Sequence, residues 1–162
     1  MAANETLAIW EAIGSTPPAA SAATFDLRNG RVVLDFDADT NEASHFSAVL
    51  PKHYAGGDLA CKLHWMATAA TSGNVRWSAA FERLEAGGPD LDSDGFQAAV
   101  EASGAASATS GKLTVTTLTL TALDGAVAGD AFRLAVTRVA NDGTNDTMTG
   151  DAELVAVELV EV

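Results

Sequence analysis

Apolar and polar residues alternate with a period of two along most of the chain, in short runs separated by clusters of Gly, Pro, Asn, Asp and Ser. Such alternation puts one set of side chains on each face of an extended strand, so it predicts strands rather than helices. The clearest run is "ATFDLRNGRVVLDFD" (23–37), because Asn29-Gly30 suits the two-residue type I′ turn of a β-hairpin. That turn predicts Arg28 opposite Arg31, Leu27 opposite Val32, Phe25 opposite Leu34 and Ala23 opposite Phe36. Every large apolar side chain except Val33 then shares one face, with Thr24, Asp26, Asp35 and Asp37 on the other. Asp26 and Asp35, diagonal to the facing arginines, are placed to offset their repulsion.

Six further runs follow: "SHFSAVL" (44–50), "LACKLHWMA" (59–67), "NVRWSAAFERL" (74–84), "KLTVTTLTLTAL" (112–123), "AFRLAVTRV" (131–139) and "AELVAVELV" (152–160), the hairpin itself supplying the remainder of about eight strands. Spaced this way, they predict an antiparallel β-sandwich or barrel. Within "KLTVTTLTLTAL" the apolar phase flips from Leu113 and Val115 to Leu118 and Leu120, which predicts a bulge or break near Thr116-Thr117. The run 152–160 is apolar on both faces and predicts a strand covered on both sides. The loop "NDGTND" (141–146) reads as a hairpin connection.

Two segments depart from the strand pattern. "NETLAIWEAIG" carries Leu7, Ile9, Trp10 and Ile13 between Asn4 and Gly14, and "STPP" follows, so residues 1–21 predict an N-terminal arm or short helix ahead of a sandwich domain over 22–162. As an arm it would bury Leu7, Ile9, Trp10 and Ile13 on a neighbouring chain, with Trp10 as anchor. "EASGAASATSG" (101–111) reads as a small-residue loop.

Candidate chemistry gathers in "LPKHYAGGDLACKLHWMA" (50–67), which holds His53, Tyr54, Cys61, His64 and Trp65. Strand parity separates them: Cys61 and Trp65 share one face and His64 lies on the other, so no thiolate–imidazole pair or metal site can form there. Cys61 is expected to be buried, and His53 and Tyr54 to sit in a turn closed by Gly56-Gly57. Trp65 and Trp77 match the parity of core residues; if Thr71-Ser72-Gly73 closes a hairpin, Trp65 faces Ala79 and Ala67 faces Trp77. "DLDSDGFQAAVE" fits the spacing of an EF-hand calcium loop, with Asp90, Asp92, Asp94, Gly95 and Glu101 in register. Its flanks, "EAGGP" and "ASGAASATSG", are not helix formers, so the segment reads as a solvated acidic loop with Asp94 capping a helical turn over Phe96–Val100, and no metal or cofactor is expected.

Composition narrows the partners. The 162 residues include 22 acidic and 9 basic side chains, a formal net charge of −13, which repels nucleic acid and anionic lipid surfaces alike. One cysteine makes no internal disulfide. No apolar run approaches the roughly 20 residues of a membrane span. The start lacks a basic segment before its apolar residues, so no secretory signal is expected and synthesis in a cytosol is.

The stretch from "RNGRVVLDFD" through "LPKHYAGG", "LHWMA" and "NVRW", with "DLDSDGFQAAV" and "GDAFRLAVTRVANDGTNDTMTGDAELVAVELVEV", resembles small jelly-roll proteins of bacteriophage and prophage structural gene sets over roughly residues 22–162. The resemblance implies an all-β, antiparallel jelly-roll-like sandwich without catalytic residues. It also implies a place on the capsid surface of a virion as a trimeric decoration (cement) protein bound to the major capsid protein. The alternative is a tail-associated receptor- or carbohydrate-binding β-sandwich, which would expose Trp, Tyr and Asp or Asn together at one loop end.

Overall fold

The computed structural model describes residues 4–162. Ten strands lie among them in two antiparallel sheets. One contains β1 (Thr6–Glu11), β2 (Thr24–Arg28), β3 (Arg31–Phe36), β5 (Leu59–Ala67), β8 (Thr114–Leu120) and β10 (Ala152–Glu161), in the order β2-β3-β10-β5-β8. The other contains β4 (Glu42–Val49), β6 (Asn74–Leu84), β7 (Val100–Ala105) and β9 (Ala131–Arg138), in the order β4-β9-β6-β7. The two pack face to face as a sandwich, as the alternating runs predict.

The β2-β3 hairpin has the expected register from Arg28↔Arg31 to Thr24↔Asp35. The expected Ala23–Phe36 pair does not form, because Ala23 leaves the sheet and its N–H donates to Ala43 O at 2.9 Å. Nor do the diagonal aspartates settle the two arginines. Arg28 instead donates to Glu153 and to Ala67 O, both at 2.8 Å, and Arg31 lies 3.6 Å from Glu11.

The N-terminal segment is neither an arm nor a helix. β1 pairs with β10 from Thr6↔Val160 to Glu11↔Ala156, with Leu7 as an extra residue in the ladder, and a 3-10 turn over Ala12–Gly14 follows. An unmet edge of β10 explains this: β3 pairs only with residues 152–154, which leaves the rest of that edge open for β1. Trp10 therefore lies in the chain's own core, 5.8 Å from Phe46 and 6.0 Å from Phe132, and is not an interface anchor. Leu7 is half-buried, while Ile9 and Ile13 are exposed.

The core is the inward parity of both sheets: Leu34, Phe36, Leu63, Trp65, Leu154 and Val157 from one, Phe46, Trp77, Phe81, Phe132, Leu134 and Val136 from the other. Each such side chain contributes about 1.5–3 kcal/mol on full transfer from water. Trp65 and Trp77 do occupy this core, but they meet across it, ring centroids 5.9 Å apart, and not within one hairpin. β5 and β6 lie in different sheets, so residues 68–73 are a crossover. The same applies to 141–146, which lies between β9 and β10 in opposite sheets and is not a hairpin connection.

Three other expectations shift. β8 pairs with β5 without a bulge, Thr116 facing inward to accept a hydrogen bond from Trp65 Nε1 at 2.9 Å while Leu113 and Val115 stay exposed. The bulge sits in β10 instead: Val155 has no partner between Leu154↔Trp65 and Ala156↔His64, and this switches the apolar phase of the strand. Finally, the small residues of 100–105 form β7 rather than a loop. Gly104 is what lets that strand approach, since a Cβ there would overlap Thr116 Oγ1 and lie 3.3 Å from Trp65.

One ion pair sits inside the sandwich. Arg138 is fully buried and all five of its N–H groups are used: Nε and Nη2 on Asp146 at 3.0 and 2.8 Å, Nη2 also on Met148 O at 3.0 Å, and Nη1 on Phe36 O and Gly150 O at 3.1 and 2.9 Å. It fastens the 139–151 loop of one sheet to β3 of the other.

Candidate functional site

The reactive residue types of 50–67 have structural positions. Tyr54 is buried and its hydroxyl donates to Gly57 O at 2.8 Å. The N–H groups of Ala55 and Gly57 donate to the Glu161 carboxylate, each at 2.9 Å to Oε1, so the turn is tied to the end of β10. Gly56 has φ +96°, which suits glycine, and a Cβ at Gly57 would come within 3.0 Å of Val162 O. Cys61 is buried in the core and desolvation pushes its pKa up to about 12, which leaves it a thiol, not a nucleophilic thiolate. His64 faces outward on β5, 3.9 Å from Glu158, and His53 lies 3.6 Å from Glu5.

The acidic loop does not gather its carboxylates. Asp90 accepts from Asp92 N–H through Oδ1 at 3.0 Å, and its carbonyl accepts from Asp94 N–H at 2.8 Å. Glu101 lies on β7 and accepts from Arg76, 3.1 Å from both Nε and Nη2. The helical turn expected at Phe96–Val100 is absent: Gln97 N–H bonds Phe81 O at 2.8 Å and Val100 opens β7. Among the described residues no group of three or more His, Cys, Asp and Glu is placed to hold a metal ion.

The loop-end arrangement of exposed aromatics is not formed either. All three tryptophans and Tyr54 are buried, and the groove of about 410 Å³ at the 38–39 and 140–150 loops is lined by Asp39, Asp146, Thr147 and Thr149 without an aromatic side chain.

Two other surfaces carry distinctive groups. On the outer face of the four-stranded sheet, the register sets Ser47, Arg133 and Glu82 in one row and His45, Ala135 and Ala80 in the next. Phe96, in the segment that joins β6 to β7, lies over the Arg133 guanidinium on this face, 4.8 Å from Cζ to the ring centre, with the His45 ring 5.1 Å away. Glu82 is fully buried and accepts from Arg133 Nε. Burial, and next the Arg133 charge, lower the pKa of His45 below its ordinary 6.5, so the imidazole is neutral at pH 7. The sequence reading missed this cluster; its signal was an Arg and a Glu at outward positions in the middle of otherwise apolar strands.

The second surface is the hairpin's own. β2 ends its sheet and overhangs the sandwich, so Phe25 and Leu27 stay exposed and, with Ile13 and Val32, line an apolar concavity of about 450 Å³. On the opposite face of the hairpin, burial and then the charges of Glu153, Asp26 and Asp151 raise the pKa of Asp35 to about 7. A raised folded-state pKa favours the protonated form: the stability it contributes is full below the ordinary value of 3.8 and is lost as pH rises through about 7. Asp35→Asn should therefore gain about 1 kcal/mol at pH 8.5, allowing for solvent screening at a partly exposed site, and nothing near pH 4. Thermal unfolding at both pH values checks this; an equal gain at both would locate the effect elsewhere.

No protein-family model and no curated protein matches the chain. Among solved structures, it is similar to the C-terminal family-6 carbohydrate-binding module of LamC, a marine laminarinase from Zobellia galactanivorans. The TM-score is 0.55 and the identity 13%, covering 97% of this chain and 100% of that one. A family-28 module specific for non-crystalline cellulose matches at TM-score 0.44 and 11% identity, over 91% of this chain and 86% of its own. A family-61 module in complex with β-1,4-galactotriose matches at 0.36 and 9%, over 81% and 71%. The first establishes a shared jelly-roll sandwich fold; the other two are too distant to add to it.

Proposed function

We propose that the chain is a non-catalytic recognition module that binds a saccharide through the outer face of its four-stranded sheet. The observation that carries this reading is the set on that face: a half-buried aromatic ring, an arginine fork, a neutral imidazole and a serine hydroxyl brought together by two separate strands and a loop. Apolar surface beside a few placed hydrogen-bonding groups is what small-ligand sites offer. The whole-length likeness to the LamC module supports the reading at the level of fold, which by itself assigns no ligand. Affinity electrophoresis against a panel of neutral and acidic polysaccharides tests it. Retardation by at least one is expected, and a folded protein that none retards would sink the proposal.

A second reading is favoured by the exposed Ile13, Phe25 and Leu27, whose apolar surface suits contact with protein. It places the chain on a phage capsid as a homotrimer bound to the major capsid protein, as the sequence resemblance implies. Leu27→Asp should then convert a trimer to monomers of 16.6 kDa in light scattering and reduce retention on purified shells. A wild-type protein that is monomeric and absent from shells would remove this reading.

A further inference from the structure

We infer that Arg133, flanked by Ser47, His45 and Phe96, binds two adjacent hydroxyls of a neutral sugar, an inference that rests on the saccharide reading above and names its site and ligand class. Arg133 sits mid-strand on β9, between Ser47 of β4 and Glu82 of β6. Its Nε donates to Glu82, while among the described residues no acceptor is bonded to Nη1 or Nη2, and the side chain is 29% exposed. A guanidinium presents these two nitrogens side by side in one plane, which matches two oxygen atoms on neighbouring carbons.

Charge decides between neutral and acidic sugars. Glu82, with 0% of its side chain exposed, cancels the Arg133 charge at contact distance, and the chain as a whole carries −13. A carboxylate or sulfate would meet no uncompensated cation here, whereas hydroxyls need only the N–H groups. Glu82 also holds a buried acceptor without a donor, Oε1, beside the arginine. A hydroxyl held on Arg133 brings a proton to that neighbourhood.

The remaining groups fit the same ligand. Ala135 and Ala80 keep the next row low beside the taller His45, Arg133 and Phe96. Phe96 offers a ring against which the C–H face of a pyranose can lie, and Ser47 Oγ, exposed in the Arg133 row, adds a donor and an acceptor.

The test is titration calorimetry of the full chain with cellohexaose, laminarihexaose and β-1,4-galactotriose, with polygalacturonate as the charged comparison. Binding to at least one neutral probe is expected, unmatched by polygalacturonate, with Arg133→Gln weakening it at least tenfold and Arg133→Lys recovering only part. His64→Ala, on the other sheet, should leave affinity unchanged. Should Arg133→Gln unfold because Glu82 is stranded, Ser47→Tyr fills the exposed position without touching the ion pair and is expected to abolish binding. If the folded variants bind as the parent does, the site lies elsewhere and this assignment falls while the saccharide reading stands. If the parent binds none of the four probes and no polysaccharide in the panel, both fall.

Discussion

Arg138→Met is expected to lower the unfolding free energy by about 3–5 kcal/mol, the range seen when one member of a buried ion pair is removed. The loss has two parts. Asp146, with its side chain 1% exposed, would keep a charge with no cation beside it. Phe36 O, Met148 O and Gly150 O would also lose their donor, and each buried carbonyl left without one costs about 1–3 kcal/mol. Adding Asp146→Leu to Arg138→Met should therefore recover only part of the stability, because the carbonyls stay unmet. Arg138→Lys should not rescue either, since an ammonium offers three donors where five are used. Urea unfolding measures this as a shift in midpoint at unchanged slope. A loss under about 1 kcal/mol for Arg138→Met would show that water reaches the carbonyls and that the pair does not clamp the two sheets.

Gly104→Val is expected to cost about 3 kcal/mol or more, at the upper end of what overpacking a core produces. The new side chain would stand where Thr116 Oγ1 accepts the Trp65 Nε1 hydrogen bond, so relief requires β7 to move off β8 or Trp65 to lose its partner. Gly143→Ala, where a Cβ meets nothing within 4 Å, should change stability by no more than about 0.5 kcal/mol. Near-ultraviolet circular dichroism adds a second readout, since Trp65 and Trp77 pack edge to face at the same place. An unchanged spectrum and midpoint in Gly104→Val would mean that β7 lies further from Trp65 than the geometry has it.

What the sequence disclosed of this fold follows from the range of the interactions involved. The β2-β3 register was legible because Asn29-Gly30 and the flanking alternation act within fifteen residues and agree. Cys61, Trp65 and Trp77 were legible as core because parity alone decides their face. Pairing between sheets was not, since a Thr-Ser-Gly loop looks the same whether it closes a hairpin or crosses the sandwich. The N-terminal strand was missed because the vacancy it fills on β10 is a property of β3, more than twenty residues away in sequence. β7 was missed because Gly and Ala carry little strand preference, and Gly104 is chosen there for close approach to Thr116. As for the candidate site, it rests on Ser47, Arg133 and Glu82 lying in one row, a neighbourhood set by strand order that no local pattern records.

The central position of β10 bears on how the chain reaches this state. It forms ladders with β1, β3 and β5, and it follows the other nine described strands along the chain. Until residues 152–161 have emerged, the first strand has no ladder to join, the β2-β3 hairpin has no neighbour, and β5 lacks cover on one edge. Most of the six-stranded sheet must therefore assemble after translation has passed residue 161, by contacts between the two ends of the domain. Topologies so rich in distant pairings fold slowly, on the order of milliseconds to seconds. During that interval β5, with its row of Leu59, Cys61, Leu63 and Trp65, would be an uncovered apolar edge, the kind of surface that chaperones bind and that aggregates form through.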